Sequence, residues 1–309
     1  MSPILAVTGP IFALIALGWG VTRGRLLDPA AVRALGQYVV NLALPALIFR
    51  AVTARDLEAL VDPAYLAAYF GGSLAVFAAV FAMARRRGRG VATFRAMGAT
   101  CANTGFIGYP ILLIALPAVA DSALALNMII ENLVMIPLIL ALAEGGSPDG
   151  PAFGRILRRL GTNPIILSLV AGLGVALSPL AVPPILARAI DLLALSSTAV
   201  SLVVIGGTLA ALPRASLPPG VVAVVAGKLV LHPLAVAAGF ALLAALGLPA
   251  GPGLAAAGIL LAAMPAMGVY PILAAQYGEG PPAAVAMLAM TLLSFFTLGA
   301  LLWILGTAG

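Results

Sequence analysis

The sequence predicts an all-α polytopic membrane protein, with ten transmembrane helices arranged as two inverted five-helix repeats and one broken helix in each half. Three observations lead there. The chain is 63% hydrophobic and only 8% charged, against about 25% charged residues in a soluble domain, so it cannot present an ordinary water-facing surface. Its apolar runs are about 20 residues long, which matches the hydrocarbon thickness of a bilayer crossed as a helix. They are too long and too continuously apolar for barrel strands, which alternate over about ten residues. Finally, two runs are interrupted by the same four residues, Tyr109-Pro110-Ile111-Leu112 and Tyr270-Pro271-Ile272-Leu273, 161 positions apart in a chain of 309.

The spans fall at about 3–22, 32–52, 63–84, 95–117, 119–143, 163–181, 184–212, 219–247, 252–276 and 282–307. No basic stretch precedes the first span and no small-residue cleavage site follows it, so it reads as a transmembrane helix and not as a removable signal. Arginine orients the set. Arg23, Arg25 and Arg33 follow span one, Arg85, Arg86, Arg87, Arg89 and Arg95 follow span three, Arg155, Arg158 and Arg159 follow span five, and Arg214 follows span seven. On the opposite side Arg55 lies among Asp56, Glu58 and Asp62, and Arg188 is close to Asp191. Cytoplasmic loops collect Lys and Arg, which places both termini outside.

The chain then divides into a first repeat at 1–143, a cytoplasmic linker at 144–162 and a second repeat at 163–309. Five spans per half is an odd number, so the second half is inverted relative to the first. At the 161-residue offset Pro3-Ile4 meets Pro164-Ile165, and each proline suits a helix first turn, where its missing N–H costs nothing.

The breaks point to function. Asn103-Thr104-Gly105-Phe106-Ile107-Gly108-Tyr109-Pro110 lies near the middle of span four, and Met264-Pro265-Ala266-Met267-Gly268-Val269-Tyr270-Pro271 at similar depth in span nine. Gly/Pro-interrupted hydrophobic segments at corresponding places in two halves mark the binding site of a secondary transporter. Unwound stretches at midplane expose half-helix N-termini, each worth about half a positive charge, which attract carboxylates and other anions. Asn103 adds an amide able to donate to such a group. A plainer reading, in which the prolines kink helices for packing and Gly105 and Gly108 let helices approach closely, stays open beside this one.

The segments Pro10 through Gly18, Leu42-Ala43-Leu44-Pro45-Ala46-Leu47-Ile48-Phe49, Asn103 through Pro110, Asn163-Pro164 and Met264-Pro265 resemble the auxin efflux carrier family of membrane transporters. The resemblance runs along the whole chain. It implies a five-plus-five inverted fold similar to that of bile-acid sodium symporters, with the broken helices of spans four and nine crossing each other. It also implies a scaffold of spans one, two, six and seven and a mobile transport domain of the other six. The short linker is similar to that of bacterial members described as malonate or malate carriers, which implies a multi-pass protein of the bacterial cytoplasmic membrane.

On this reading the substrate-binding residues are Asn103, Gly105, Gly108, Tyr109, Pro110, Met264, Pro265, Gly268, Tyr270 and Pro271, with Asn41 lining the scaffold side of the cavity. The ion-coupling residues are Glu131, Lys228, Asn127, Asn132 and His232. Glu131 and Lys228 each lie about ten residues into spans five and eight, near the midplane, where an unpaired charge is expensive. Since the resemblance puts both in the transport domain, it implies a Glu131–Lys228 pair, either a structural salt bridge or a proton or cation site with its counter-charge. Asn127 shares the face of Glu131 and Asn132 adjoins it. His232, four residues after Lys228 and so on the same face, titrates near neutral pH or simply packs before Pro233. Thr291, Ser294 and Thr297 read as helix-packing residues.

Other classes fit poorly. One cysteine, Cys101, excludes an internal disulfide and a multi-cysteine metal site. Neither a Gly-x-Ser-x-Gly elbow, nor His-Glu-x-x-His, nor a Walker motif occurs, so an enzyme or a nucleotide-driven pump is not expected, and no cofactor is. The net charge of +6 sits in loops without an interleaved aromatic stripe, which argues against nucleic acid. The expected partners are a small organic anion, a proton or sodium, the lipid bilayer, and a second copy of the chain through the scaffold spans. The expected mechanism is proton-coupled alternating access. A uniporter, a sodium-coupled carrier and an anion channel are its rivals.

Overall fold

A computed structural model describes residues 3–53, 62–144, 154, 158, 161–178, 181–211, 218–275 and 277–306. Arg55, Asp56, Glu58, Arg155, Arg159, Arg214 and most of the 144–162 linker lie outside the described residues. Within them the chain is helical. The helices are α1 (Pro3–Arg23), α2 (Pro29–Thr53), α3 (Pro63–Arg87), α4 (Arg89–Thr100), α5 (Thr104–Ala115), α6 (Ala120–Ala143), α7 (Pro164–Ala176), α8 (Pro184–Ala211), α9 (Val221–Ala245), α10 (Leu254–Ala262), α11 (Tyr270–Ala275) and α12 (Gly280–Ile304).

Six of these, α2, α3, α6, α8, α9 and α12, are long and apolar enough to cross a membrane. Their outer faces stay apolar: Ile185 is 89% exposed, Trp303 74% and Phe296 70%. Such side chains would be costly in water, and a bilayer solvates them.

Three helices start on the same local chemistry. Asp28, Asp62 and Asn163 each precede a proline and accept from a backbone amide of the first turn, Ala31 N at 2.6 Å, Tyr65 N at 2.7 Å and Ile165 N at 2.9 Å. The cap satisfies an orphan donor and the proline supplies a preset φ without losing a bond. That start lengthens α2 by a turn at its front relative to the span at 32–52.

Prolines also shape the helix interiors. Wide π turns cover Val39–Ala43, Thr104–Gly108, Ile129–Met135 and Gly227–Leu231, and each ends two residues before a proline: Pro45, Pro110, Pro137 and Pro233. In all four the residue just ahead of the proline donates five residues back, Leu44 to Val39 O, Tyr109 to Thr104 O, Ile136 to Glu131 O and His232 to Gly227 O. A proline removes one N–H and clashes with the carbonyl a turn earlier. A single wide turn relieves that clash while the neighbouring amide remains bonded.

The fourth and ninth expected spans are each two helices. α4 ends at Thr100 and α5 begins at Thr104; α10 ends at Ala262 and α11 begins at Tyr270. The two unwound segments run against each other, with an antiparallel bridge between Ala102 and Ala266. Asn103 N donates to Pro265 O at 2.8 Å and Met267 N to Cys101 O at 3.2 Å. Strand-type pairing thus replaces the helical bonds lost at both breaks.

Packing falls into two groups. α1 lies along α8, and α2 packs on α7 and α8. Separately, α3 packs on α4 and α9, α4 on α6, α9 on α10 and α12, and α11 on α12. Between the groups, α2 meets α6, α5 meets α1 and α8, and α1 meets α12. The α1–α8 seam is backbone against backbone: a Cβ on Gly206 would overlap Ile15 O, and one on Gly18 would overlap Val203 O. Small residues permit this approach where lipid supplies no hydrophobic drive between helices.

Gly206→Val is therefore expected to push α1 off α8 and cost about 1–3 kcal/mol. Thermal unfolding of the detergent-purified variant checks it; an unchanged midpoint would mean that the seam tolerates a side chain.

Candidate functional site

The crossing of the two breaks gathers most of the residues singled out in the sequence. Asn103 is 5% exposed. Its backbone is fully used, since its carbonyl accepts from Ile107 N at 3.1 Å and Gly108 N at 3.0 Å. Its side-chain amide makes no hydrogen bond to any described residue. Beside it, Met264 and Pro265 are buried under the bridge, while Gly268 is exposed with open space where a Cβ would stand. Gly105 abuts Leu44 of α2, whose Cδ1 lies 2.7 Å from the place of an added Cβ, and Gly108 abuts Leu261 of α10 at 2.5 Å.

The proline at 110 frees the carbonyl of Phe106, four residues earlier. Ser201 of α8 stands there, its one hydroxyl proton shared between Phe106 O at 3.1 Å and Thr198 O at 2.9 Å. An unsatisfied carbonyl at membrane depth costs several kcal/mol, so this hydroxyl is part of what lets Pro110 sit inside α5. Ser196, Ser197 and Thr198 stand in the same helix, and nothing in the sequence singles out Ser201 for that duty.

Glu131 joins the crossing from α6. It is 1% exposed, and its Oε1 accepts from Ala102 N at 2.7 Å, at the bridge itself. Its Oε2 accepts from Thr104 Oγ1 at 3.2 Å, and Thr104 Oγ1 in turn accepts from Asn127 Nδ2 at 2.6 Å. The carboxylate stands at the start of α5, where the helix dipole is positive. Thr104 was legible as part of the motif but not as a partner of Glu131, because that contact depends on where α6 packs. Asn132 turns back instead, its Nδ2 donating to Met128 O at 3.2 Å.

Lys228 and His232 approach from α9, both fully buried. Lys228 does not form a direct ion pair with Glu131. Its ammonium donates to Ala262 O at 2.7 Å and to Thr100 O at 3.4 Å, and it lies 2.9 Å from His232 Nδ1. Nδ1 lies 3.0 Å from Ala262 O as well, so ammonium, imidazole and carbonyl form one cluster, and Nε2 is 2.8 Å from Ser73 Oγ. Tyr69 packs edge-on against the imidazole, ring centres 5.5 Å apart.

Four expected residues sit away from this cluster. Tyr109 is buried one turn further along α5, where its hydroxyl accepts from Arg50 Nη2 at 3.0 Å and donates to Asp121 Oδ1 at 2.7 Å. Tyr270 packs against Gly98 of α4, leaving no room there for a Cβ, and Pro271 follows it, partly exposed. Asn41 is exposed in the wide turn of α2.

At one end of the helices Arg95 and Glu279 form a two-pronged ion pair, Nε to Oε2 at 2.8 Å and Nη2 to Oε1 at 3.1 Å, with side chains 10% and 12% exposed. Arg95, expected in the loop after span three, is in the second turn of α4. Its guanidinium also lies where a Cβ of Gly220 would be, and Gly220 holds a φ of +92° that glycine adopts freely.

An all-helical chain with apolar outer faces and paired helix breaks is a multi-pass membrane protein. The profile of the family described as "Membrane transport protein" matches residues 4–147 and 153–304. The chain belongs to that family, the auxin efflux carriers. It is also 33% identical, over 316 aligned residues, to a protein of Rhizobium meliloti (strain 1021) that bears the name "Putative malonate transporter"; the match covers 99% of this chain and 97% of that one.

Removing one partner of a buried ion pair strands the other charge and costs about 3–5 kcal/mol. Glu279→Gln should lower the unfolding midpoint accordingly, and Arg95→Gln added to it should cost little more. A double-variant cycle on the purified protein measures this, and additive losses would show that the pair is not coupled.

Proposed function

We propose that this protein is a secondary carrier of a small organic anion that works by alternating access, with the anion held at the crossing of α4–α5 and α10–α11. The observation that carries the reading is Asn103. Its side chain is 5% exposed, its amide makes no hydrogen bond to a described residue, and it stands at the start of α5. A carboxylate placed there would accept from that amide and from the positive helix end. The relative's name makes malonate the first substrate to test.

Ten spans in two inverted halves, both termini outside a bacterial cytoplasmic membrane, is the arrangement that the arginine pattern favours. Long-range contacts support it. Arg95, Gly220 and Glu279 meet, and these positions follow the third, seventh and ninth spans, which that topology puts on the cytoplasmic side. On the other side, Asp62 Oδ2 accepts from Gly251 N at 2.7 Å, joining the loops after spans two and eight. The two packing groups support a scaffold of α1, α2, α7 and α8 against which the remaining helices move.

Coupling in this reading is to protons, with Glu131 as the titrating group. It is the carboxylate at the crossing, and it bonds to the backbone and to Thr104 of the same break that holds the anion. Gain or loss of its proton changes which of these bonds it makes, and so the shape of the site.

In proteoliposomes, malonate or another small carboxylate should accumulate under an imposed gradient with saturation and counterflow. Flux without saturation would mean a channel, and no flux of any such anion would overturn the proposal. Asn103→Ala should weaken substrate affinity about tenfold, the worth of a single hydrogen bond to a charged group, in a protein that stays monodisperse.

Glu131→Gln should flatten the dependence of transport on pH across about pH 5 to 8. Identical profiles in the two proteins would take Glu131 out of the mechanism, and strict sodium dependence would replace the proton.

A further inference from the structure

Lys228 is the one lysine in a chain that uses fifteen arginines, and it is 0% exposed. An ammonium carries three N–H donors. Here it has three acceptors within reach: Ala262 O, His232 Nδ1 and Thr100 O at 2.7, 2.9 and 3.4 Å. Two of these are special. Thr100 is the last residue of α4 and Ala262 the last of α10, the two helices that stop at the crossing. A helix C-terminus is equivalent to about half a negative charge. Two of them converge on one atom, which carries about one positive charge.

The geometry also explains the residue type. A guanidinium is a planar fork suited to carboxylates, whereas an ammonium is a compact point charge able to sit between two carbonyls from different directions. Its aim is fixed from behind. His232, one turn along α9, has Nδ1 against the ammonium and Ala262 O and Nε2 hydrogen-bonded with Ser73 of α3.

We propose that Lys228 is a built-in counter-ion, filling the position that the converging C-termini of α4 and α10 would otherwise offer to a small monovalent cation. Such a cation binds at the crossing only when the lysine is removed. His232 and Ser73 are its positioning residues. The inference rests on the carrier reading in one respect, that transport needs no sodium at this point. The site itself does not depend on what is carried.

Lys228→Ala leaves two helix-end carbonyls and an imidazole nitrogen facing a void the length of the lost side chain. That is an oxygen-lined, negatively polarised space. The experiment is thermal unfolding of detergent-purified wild type and Lys228→Ala at fixed ionic strength in choline, sodium, potassium or methylammonium chloride. Wild type should unfold at the same midpoint in all four. Lys228→Ala should unfold at least about 5 °C lower in choline and regain stability, saturably with concentration, in sodium, potassium or methylammonium, as expected for a ligand that binds the folded state.

A wild-type midpoint that rises saturably with sodium would overturn the proposal. So would a folded Lys228→Ala indifferent to all three small cations. Lys228→Gln, which keeps an amide donor but no charge, is titrated in parallel, and the same outcomes decide from it if the alanine variant does not fold. Because unfolding is read and not flux, a protein with this pattern that moves no organic anion would leave the inference standing and remove the carrier.

Discussion

A proline has no amide hydrogen, and inside a bilayer the carbonyl it leaves unpaired has no water to turn to. Much of this protein's interior follows from that constraint. At Pro45, Pro137 and Pro233 the helix answers by widening a single turn, and the chain continues. At Pro110 the turn widens in the same way and α5 continues to Ala115, with Ser201 supplying a hydroxyl near the freed carbonyl of Phe106. The break lies ahead of it, between Thr100 and Thr104, where the backbone pairs with a second broken helix.

The wide turns also explain where the polar side chains are. Thr104, Glu131, Asn132 and Lys228, all buried, lie in them, as does the exposed Asn41. A π turn rotates the residues that follow it, so a polar group can face inward from a helix otherwise buried in apolar neighbours, and such turns recur at functional sites. At the crossing the result is an ordered arrangement of charge. Lys228 stands where two helices end and Glu131 where one begins. Each ionisable group therefore meets backbone dipoles of opposite sign before it meets the other. Burial that would be prohibitive for either charge alone is offset by fixed partial charges that need no reorganisation.

The contacts between the two packing groups are of a different kind. They include Ser201 to Phe106, Arg50 to Tyr109, Leu44 against Gly105 and the edge-on rings of Phe12 and Phe295. Within the groups, by contrast, backbones touch or rings stack, as at Gly206 on Ile15 and at Tyr65 on Tyr69. A boundary carried by side chains costs less to shift than one carried by interlocked backbone. Motion of one group against the other would use the weaker seam.

Composition and periodicity alone were enough for the class of protein, because a chain with 8% charged residues has no fold in water and one economical fold in lipid. The helix starts at Pro63 and Pro164 and the breaks around Asn103–Pro110 and Met264–Pro271 were likewise legible, since they depend on chain-local chemistry: a missing N–H, a glycine. What the chain could not reveal by itself was partnership. Glu131 and Lys228 sit at matching depth on two spans, and the family resemblance implied that they pair with each other. The fold turns Glu131 onto Ala102 N and Lys228 onto the carbonyls of Thr100 and Ala262. Likewise Arg95 looked like one more loop arginine until α12 brought Glu279 to it from 184 residues away. Local chemistry decides where a helix begins and breaks. The rotation and spacing of packed helices decide which buried groups meet, and those are properties of the assembled bundle, not of any one segment.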